Sequence, residues 1–514
     1  MINIRYNNII PFTLLICILY NCNSNRLESK KKPNIIIIYT DDLGYGDVSA
    51  YKKGTLKTPN IDKLANEGIR FTNGYSSSAT CSPSRYALLT GIYPWRNAKA
   101  KIITGGSLIV DTSEVTIPKL LKENKYKTGI VGKWHLGLGL NKIDYNSEIS
   151  PGPNQLGFDY SYIMPDTQDR VPTVYIENGK VVNLDPNDPI KVDFKTNFKD
   201  QPTGKDNPEL LKMKWHHGHN GSIINGISRI GFMKGGEKAK WSDIDMADHF
   251  LDRAKNYIKN NKDNSFFLFY SLQQPHVPRT PHPRFEGKSG MGPRGDAIIE
   301  ADWCVGELYE TLKSIGIIDN TLILFSSDNG PVLNDGYYDD AVERIGDHSP
   351  SGGLRGGKYS LFEAGTRVPF ISYWKNRIKP AISDKIISQV DILSSIAKII
   401  GSDYRSQDGK DLSELILDNK GAGRNELILE ATSRTAYRDG DWVMIPPYNG
   451  KEVSKNVNIE LGNSKNYKLY NLKDDNSQKA NLSNKNPKKL KEMITKFERI
   501  IGKKNTNIKD LILE

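Results

Sequence analysis

"PNIIIIYTDDLGYGD", Pro33–Asp47, decides the architecture of this chain. Asn34–Thr40 is a continuous β-branched, apolar run, the pattern of a strand buried on both faces. Such a strand belongs at the centre of a sheet covered by helices. Two aspartates follow it immediately. In open α/β sheets ligands bind outside the carboxyl ends of the strands, so Asp41 and Asp42 are candidate ligand groups. Taken alone, a turn or a helix cap accounts for them equally well.

Further along, "KTGIV" (Lys127–Val131), "SFFLFYSL" (Ser265–Leu272) and "TLILFSS" (Thr321–Ser327) read as more buried strands. Helical patterns such as "DWCVGELYETLKSIG" and "QVDILSSIAKIIG" separate or follow them. The alternation predicts an α/β fold, a central, largely parallel sheet flanked by helices. Polar groups recur at the strand ends: Lys133 and His135 in "GKWHLG", His276 after the third run, and Asp328 and Asn329 after the fourth. "DNG" by itself makes a good hairpin turn. Four strands delivering such groups to one edge is a coincidence that separate turns do not explain. Asp41, Asp42, Asp328 and Asn329 offer only oxygen, which suits Ca²⁺ or Mg²⁺, and no His/Cys spacing suits zinc.

The main domain is expected over residues 33–400. Within it, 160–245 turns irregular and rich in Pro, Asn, Gly and Asp, too long for a plain loop and therefore an insertion that shapes a pocket. Residues 401–514 change character. "NELILEA", "TAYRDGDWVMI" and "YKLYNL" read as short antiparallel strands, with a helix at "PKKLKEMITKFERIIGKK", giving a smaller α+β subdomain with an antiparallel sheet.

With 37% hydrophobic and 25% charged residues, the 514-residue chain falls among soluble globular proteins. Its apolar run Ile9–Tyr20 is shorter than the ~20 residues needed to cross a bilayer. Residues 1–21 read as a signal peptide, and Leu19, three residues before Cys22, resembles a lipoprotein cleavage box. The expectation is an exported protein, periplasmic or at the cell surface and lipid-anchored at Cys22, with 22–32 as a linker. An ordinary signal peptide cut slightly later is the alternative. Cys17 then leaves with the signal, and Cys304 sits on a helical pattern as a core residue. Cys81 is left alone, so no disulfide framework is available. The net charge of +11 is scattered. No basic stripe with interleaved aromatics argues for nucleic acid, whereas a positive field favours a polyanion such as an acidic polysaccharide.

Two motifs mislead. "GGLRGGKY" (Gly352–Tyr359) nearly matches a phosphate loop, but Tyr359 stands where a metal-binding hydroxyl is needed and no buried strand precedes it. Lys358 on that segment still suits an anion. "CSPSR" suggests a thiol phosphatase, whose loop needs an arginine six residues after the cysteine; Ala87 stands there.

"CSPSRYALLTG" matches the type I sulfatase signature C-x-P-S-R-x-x-x-L-T-G, and "GKWHLG" matches that family's second signature. The opening segment, "SSDNG" and "KLYNLKDDNSQKANL" fit too, so the chain resembles formylglycine-dependent sulfatases, bacterial carbohydrate enzymes among them, over nearly its whole mature length. The resemblance implies an alkaline-phosphatase-like domain with a smaller C-terminal one. It implies that a maturase oxidises Cys81 to Cα-formylglycine, whose hydrate attacks sulfur with one oxygen and expels sulfate with the other. One Ca²⁺ would be held by Asp41, Asp42, Asp328, Asn329 and residue 81. Arg85 and Lys133 would orient nucleophile and sulfate, His135 would take the hydroxyl proton, and His276, with Lys358 alongside, would protonate the leaving alcohol. Arg170, His216, His217, His219, Arg294 and Arg355 are candidates for sugar and sulfate recognition. The implied substrate is a sulfated polysaccharide or oligosaccharide, 6-sulfated N-acetylgalactosamine being one suggestion. Competing expectations are a phosphonate or phosphate ester hydrolase of the same superfamily and a glycan-binding lipoprotein without catalysis. Oligomeric state is not legible.

Overall fold

Asn34–Thr40 becomes β1, buried along its whole length, in the middle of a ten-stranded sheet. The computed structural model describes residues 32–54 and 56–502, together with Met1. The other strands of the sheet are β2 (Ile69–Tyr75), β3 (Lys127–Lys133), β4 (Tyr160–Met164), β5 (Ile176–Glu177), β6 (Lys180–Val181), β7 (Phe266–Ser271), β8 (Thr321–Ser327), β9 (Phe370–Tyr373) and β10 (Ala381–Ser388). Their order is β10-β2-β9-β8-β1-β7-β3-β4-β5-β6. The five central strands β8, β1, β7, β3 and β4 are parallel, so their carboxyl ends share one edge. β9 runs against both β8 and β2.

Side chains alternate across a strand, which is why β1 needs an unbroken apolar run. Ile35, Ile37 and Tyr39 pack with Phe267, Phe269, Leu322 and Leu324 on one face; Ile36 and Ile38 pack with Leu268, Ile323 and Phe325 on the other. The first layer is covered by helices α2 (Cys81–Thr90) and α3 (Ile117–Glu123), the second by α1 (Pro59–Glu67), α4 (Met246–Asn260) and α5 (Gly292–Ser314). Cys304 lies fully buried on α5 among that second layer. Full burial of each such Leu, Ile or Phe is worth about 1.5–3 kcal/mol.

The irregular segment differs from its sequence reading at its start. Tyr160–Met164, "YSYIM", is a parallel strand of the main sheet. Three of its five residues are Tyr or Ser and a Pro follows, so it shows no apolar run.

A second, antiparallel sheet follows in the C-terminal region: β11 (Glu426–Ala431), β12 (Arg434–Asp439), β13 (Trp442–Ile445) and β14 (Lys468–Asn471). The amphipathic helix Pro487–Ile501 seats Met493 and Phe497 on it. This sheet grips the loop that enters α2. The Ala79 amide donates to Glu430 O at 2.7 Å, and the Ser78 hydroxyl donates to the Glu430 carboxylate.

Burial pushes the Glu430 carboxyl up from 4.5 to about 7, its hydrogen bonds from Ser78 and the Ser433 amide pulling the other way. Below pH 4.5 the carboxyl is protonated whether the chain is folded or not. Between 4.5 and 7 only the unfolded chain releases the proton, so stability falls as pH rises, by about 3 kcal/mol in all. Glu430→Gln is therefore expected to match the parent near pH 4.5 and to exceed its stability at pH 8. Denaturant titrations at both values check this; a gap that does not grow with pH would show the carboxylate already ionised in the fold.

Candidate active site

The shared sheet edge assembles the polar groups. Asp41 and Asp42 follow β1, Lys133 ends β3 with His135 just beyond, His276 lies past β7, and Asp328 and Asn329 follow β8. The loop after β2 leads into α2, with Cys81 as its first residue. The Thr80 backbone is extended, Pro83 occupies the first turn, and Gly91 closes the helix at φ 65° with its amide on Ala87 O. Cys81 and Arg85, four residues apart, share one helix face. With Lys358 these ten residues are each at most 4% exposed.

Carboxylate oxygens of Asp41, Asp42 and Asp328 and the Cys81 sulfur lie within 4.8 Å of one another. Cys81 Sγ donates to Asp41 Oδ1 at 3.6 Å, and the Asp42 amide donates to Asp328 Oδ1 at 3.3 Å. Asp42 sits at φ 61°, a left-handed conformation that Asp tolerates better than most residues. Three buried cations face these acids. Arg85 forks onto Asp328 Oδ2 at 3.0 and 2.8 Å, Lys133 donates to Asp41, and Lys358 donates to Asp42 Oδ2 at 2.8 Å.

Burial and the Asp328 charge push Asp41 up to about 8, against the pull of Lys133. Burial raises Asp42 as well, Lys358 opposing it. Burial also works against ionised Asp328, but Arg85 and Lys133 outweigh it and hold that carboxyl low. Crowded carboxylates repel one another. Asn329 Nδ2 donates to Asp42 Oδ1 at 2.7 Å, while Asn329 Oδ1 is buried without a hydrogen-bond partner. An oxygen-only donor set, mutually repelling acids and an orphaned amide oxygen fit one hard divalent cation, with Asp41, Asp42, Asp328 and Asn329 as its holders.

Two histidines flank the cluster. His276 Nδ1 donates to Val277 O at 2.7 Å, which turns Nε2 toward Asp42 Oδ2, 3.8 Å away. His135 Nε2 donates to Ile103 O at 3.1 Å, leaving Nδ1 buried and unpartnered. Burial pushes both imidazoles well below the usual range, aided at His276 by Lys358 and Lys133 and at His135 by Lys133 and Arg170. Both are neutral at pH 7.

Asp335 is a site residue that sequence reasoning missed. It accepts Lys358 Nζ at 2.7 Å and the Tyr359 hydroxyl at 3.2 Å, and groups with Asp42 and His276. Burial opposes its ionisation, yet the Lys358 charge and hydrogen bond outweigh it and hold the carboxyl well below the carboxylate range. It stands in mid-loop, so no strand-end rule reaches it; a second acid seven residues after Asp328 was the available signal.

Of the recognition candidates, Arg170 donates to Asp169 Oδ1 at 2.8 Å, and its charge bears on His135. His219 Nε2 meets the other Asp169 oxygen at 2.8 Å, while its Nδ1 donates to His217 O at 2.6 Å. Burial lowers His217 to about 4, with Asp335 pulling upward. His216 Nδ1 lies 2.7 Å from His217 Nδ1. Arg170, His217 and His219 thus interact with cluster residues through charge, and His216 adjoins them only through His217. Arg294 and Arg355 do not join the cluster. Arg294 is buried and forks onto Asp47 at 2.9 and 2.6 Å, where His348 also binds. Arg355 forks onto Glu460 at 2.6 and 2.8 Å. Both are spent on structural ion pairs, a correction to their reading as substrate groups.

"SSDNG" forms no hairpin either. The Gly330 amide donates to Gly365 O at 2.9 Å, and a Cβ there would collide with Ala364 O.

The sulfatase family profile matches residues 33–402. The chain is 45% identical over 504 residues to an N-acetylgalactosamine-6-O-sulfatase of Bacteroides thetaiotaomicron, spanning 96% of this chain and 99% of that protein. It is 31% identical over 413 residues to human arylsulfatase A, spanning 78% of this chain and 71% of that one. A solved 6S-sulfatase structure from work on glycosaminoglycan metabolism by Bacteroides thetaiotaomicron superposes with a TM-score of 0.90 at 46% identity, covering 92% of this chain and all of that one.

Proposed function

We propose, for a chain that belongs to the sulfatase family and hydrolyses sulfate esters of sugars, that the substrate is a glycan bearing 6-sulfated N-acetylgalactosamine and that residue 81 acts as Cα-formylglycine beside one calcium ion. The observation that carries the chemistry is Cys81 at the first turn of α2, within reach of three buried carboxylates that three buried cations balance. The sugar rests on the relative named for it, 45% identical across almost both full lengths.

When bound, calcium held by Asp41, Asp42, Asp328 and Asn329 would acidify an attached hydroxyl and neutralise sulfate oxygens. When formed, formylglycine would supply a hydrated aldehyde, one hydroxyl to attack sulfur and a second to release sulfate. The chain's own groups do the rest. Arg85, anchored on Asp328, fixes the nucleophile's side of the pocket. Lys133 and Lys358 present ammonium charge to the sulfate oxygens. His135, with Nδ1 free, takes the proton of the second hydroxyl. Burial, with the Lys358 and Lys133 charges, keeps His276 neutral against the pull of Asp169 and Asp335. A bound sulfate offsets those charges, lets His276 Nε2 take up a proton, and so equips it to protonate the departing sugar oxygen. Asp335 keeps Lys358 in position.

Export with a lipid on Cys22 and a maturase that oxidises Cys81 belong to the same proposal; residue 22 lies outside the described residues. Among those described, no helix is long and apolar enough to cross a membrane.

The test pairs a mass measurement with an assay. The tryptic peptide Phe71–Arg85, made with a competent maturase, is expected to carry an aldehyde in place of the Cys81 thiol. The same preparation is expected to release sulfate from 6-sulfated N-acetylgalactosamine and to act poorly on aryl phosphate. An active enzyme whose peptide keeps unmodified cysteine would sink the nucleophile assignment, and preference for aryl phosphate would favour a phosphoester hydrolase.

A further inference from the structure

We propose that a small ribbon formed by residues 213–217 and 336–338 is the docking platform for the sugar adjoining the sulfated residue, a pyranose carrying a negative charge that stacks on Tyr338 with its anion at Lys214. The inference rests on the sugar-sulfatase reading and extends it from a single sulfated sugar to a charged glycan chain.

Trp215 and Tyr337 form an antiparallel bridge. The Tyr338 amide donates to Lys214 O at 2.9 Å and the His216 amide to Gly336 O at 2.8 Å, which sets Lys214 opposite Tyr338. Successive side chains on extended backbone point to opposite faces. Trp215 and Tyr337 take the inner face, packed with Ile227 and Val277. Lys214, His216 and Tyr338 therefore share the outer one. Tyr338 is 59% exposed, yet its backbone is held by the bridge and the His216 ring meets it edge-on at 4.9 Å. Lys214 is exposed, and no ion pair among the described residues occupies it. A fixed, uncovered aromatic beside a free ammonium is built to receive something apolar on one face and anionic at its rim.

Position identifies the guest. Val277, under the ribbon, follows His276 directly. Asp335, grouped with His276 and Asp42, is three residues before Tyr338, a reach of at most about 10 Å. The platform thus lies on the side of the pocket where His276 delivers its proton. An alcohol leaving group must emerge there, and for a glycan the rest of the chain emerges with it.

The experiment compares the parent, Tyr338→Ala, Tyr338→Phe and Lys214→Ala on a sulfated oligosaccharide and on a small aryl sulfate, which has no adjoining sugar. Tyr338→Ala is expected to lower kcat/KM on the oligosaccharide about tenfold, mainly through KM, and to leave the aryl sulfate within about twofold. Tyr338→Phe keeps the ring face and should behave as the parent. Lys214→Ala should flatten the salt dependence of the oligosaccharide KM. Equal losses on both substrates, or none on either, overturn the platform while the parent's activity stands. A parent inactive on every sulfate ester would instead remove the sugar-sulfatase reading and the platform with it.

Discussion

Cys81→Ala is expected to abolish turnover, by about five to six orders of magnitude, while the protein folds and melts close to the parent. The two halves have separate physical grounds. The thiol makes one weak hydrogen bond, 3.6 Å to Asp41, so its removal leaves no strongly held partner unsatisfied. A methyl group fits where the side chain is already enclosed, and the stability change should stay near 1 kcal/mol. Chemistry has no such substitute. In the proposed mechanism His135, His276 and the lysines move protons and hold sulfate, and none of them attacks sulfur in residue 81's stead. Sulfate release and thermal melting measured on one preparation check both halves. Turnover within tenfold of the parent would place the nucleophile elsewhere.

Asp328→Ala is expected to cost both function and fold. Its carboxylate takes the Arg85 fork, stands 4.0 Å from Lys133 and accepts the Asp42 amide. Without it Arg85 is left with Ser271 and a backbone carbonyl, and two buried cations lose a counter-charge. Breaking a buried pair from one side costs about 3–5 kcal/mol. Activity should fall by at least about a thousandfold, because a candidate metal holder and the anchor of Arg85 vanish together. Denaturant unfolding and kcat are the readouts. A variant that loses activity at parental stability would show that the ion pair contributes nothing to the fold.

What could be read in advance follows from where physical information sits. β1 and β8 were legible residue for residue, because a strand covered on both faces must be apolar throughout. The strand read at Lys127–Val131 continues to Lys133, where Gly132 and Lys133 look like loop. Strand-end logic put Asp41, Asp42, Asp328 and Asn329 on one edge, where the structure gathers them, since sheet edges follow from strand order. Asp335 lay beyond it: its role depends on how a long loop folds back to Lys358. Arg294 and Arg355 show the converse error. An arginine's type says that it wants an anion, and only tertiary structure tells whether Asp47 or Glu460 already supplies one.

The grip of β11 on the approach to α2 also has a consequence for biosynthesis. Residues 78 and 79 are stitched to residue 430, and the Ala79 carbonyl accepts the Tyr359 amide. The pocket around Cys81 therefore closes only after more than four-fifths of the chain has been made. Until then the segment is open to any enzyme that would alter it; afterwards Cys81 is 2% exposed and out of reach. The maturation proposed for Cys81 would therefore run on a clock that the fold itself stops.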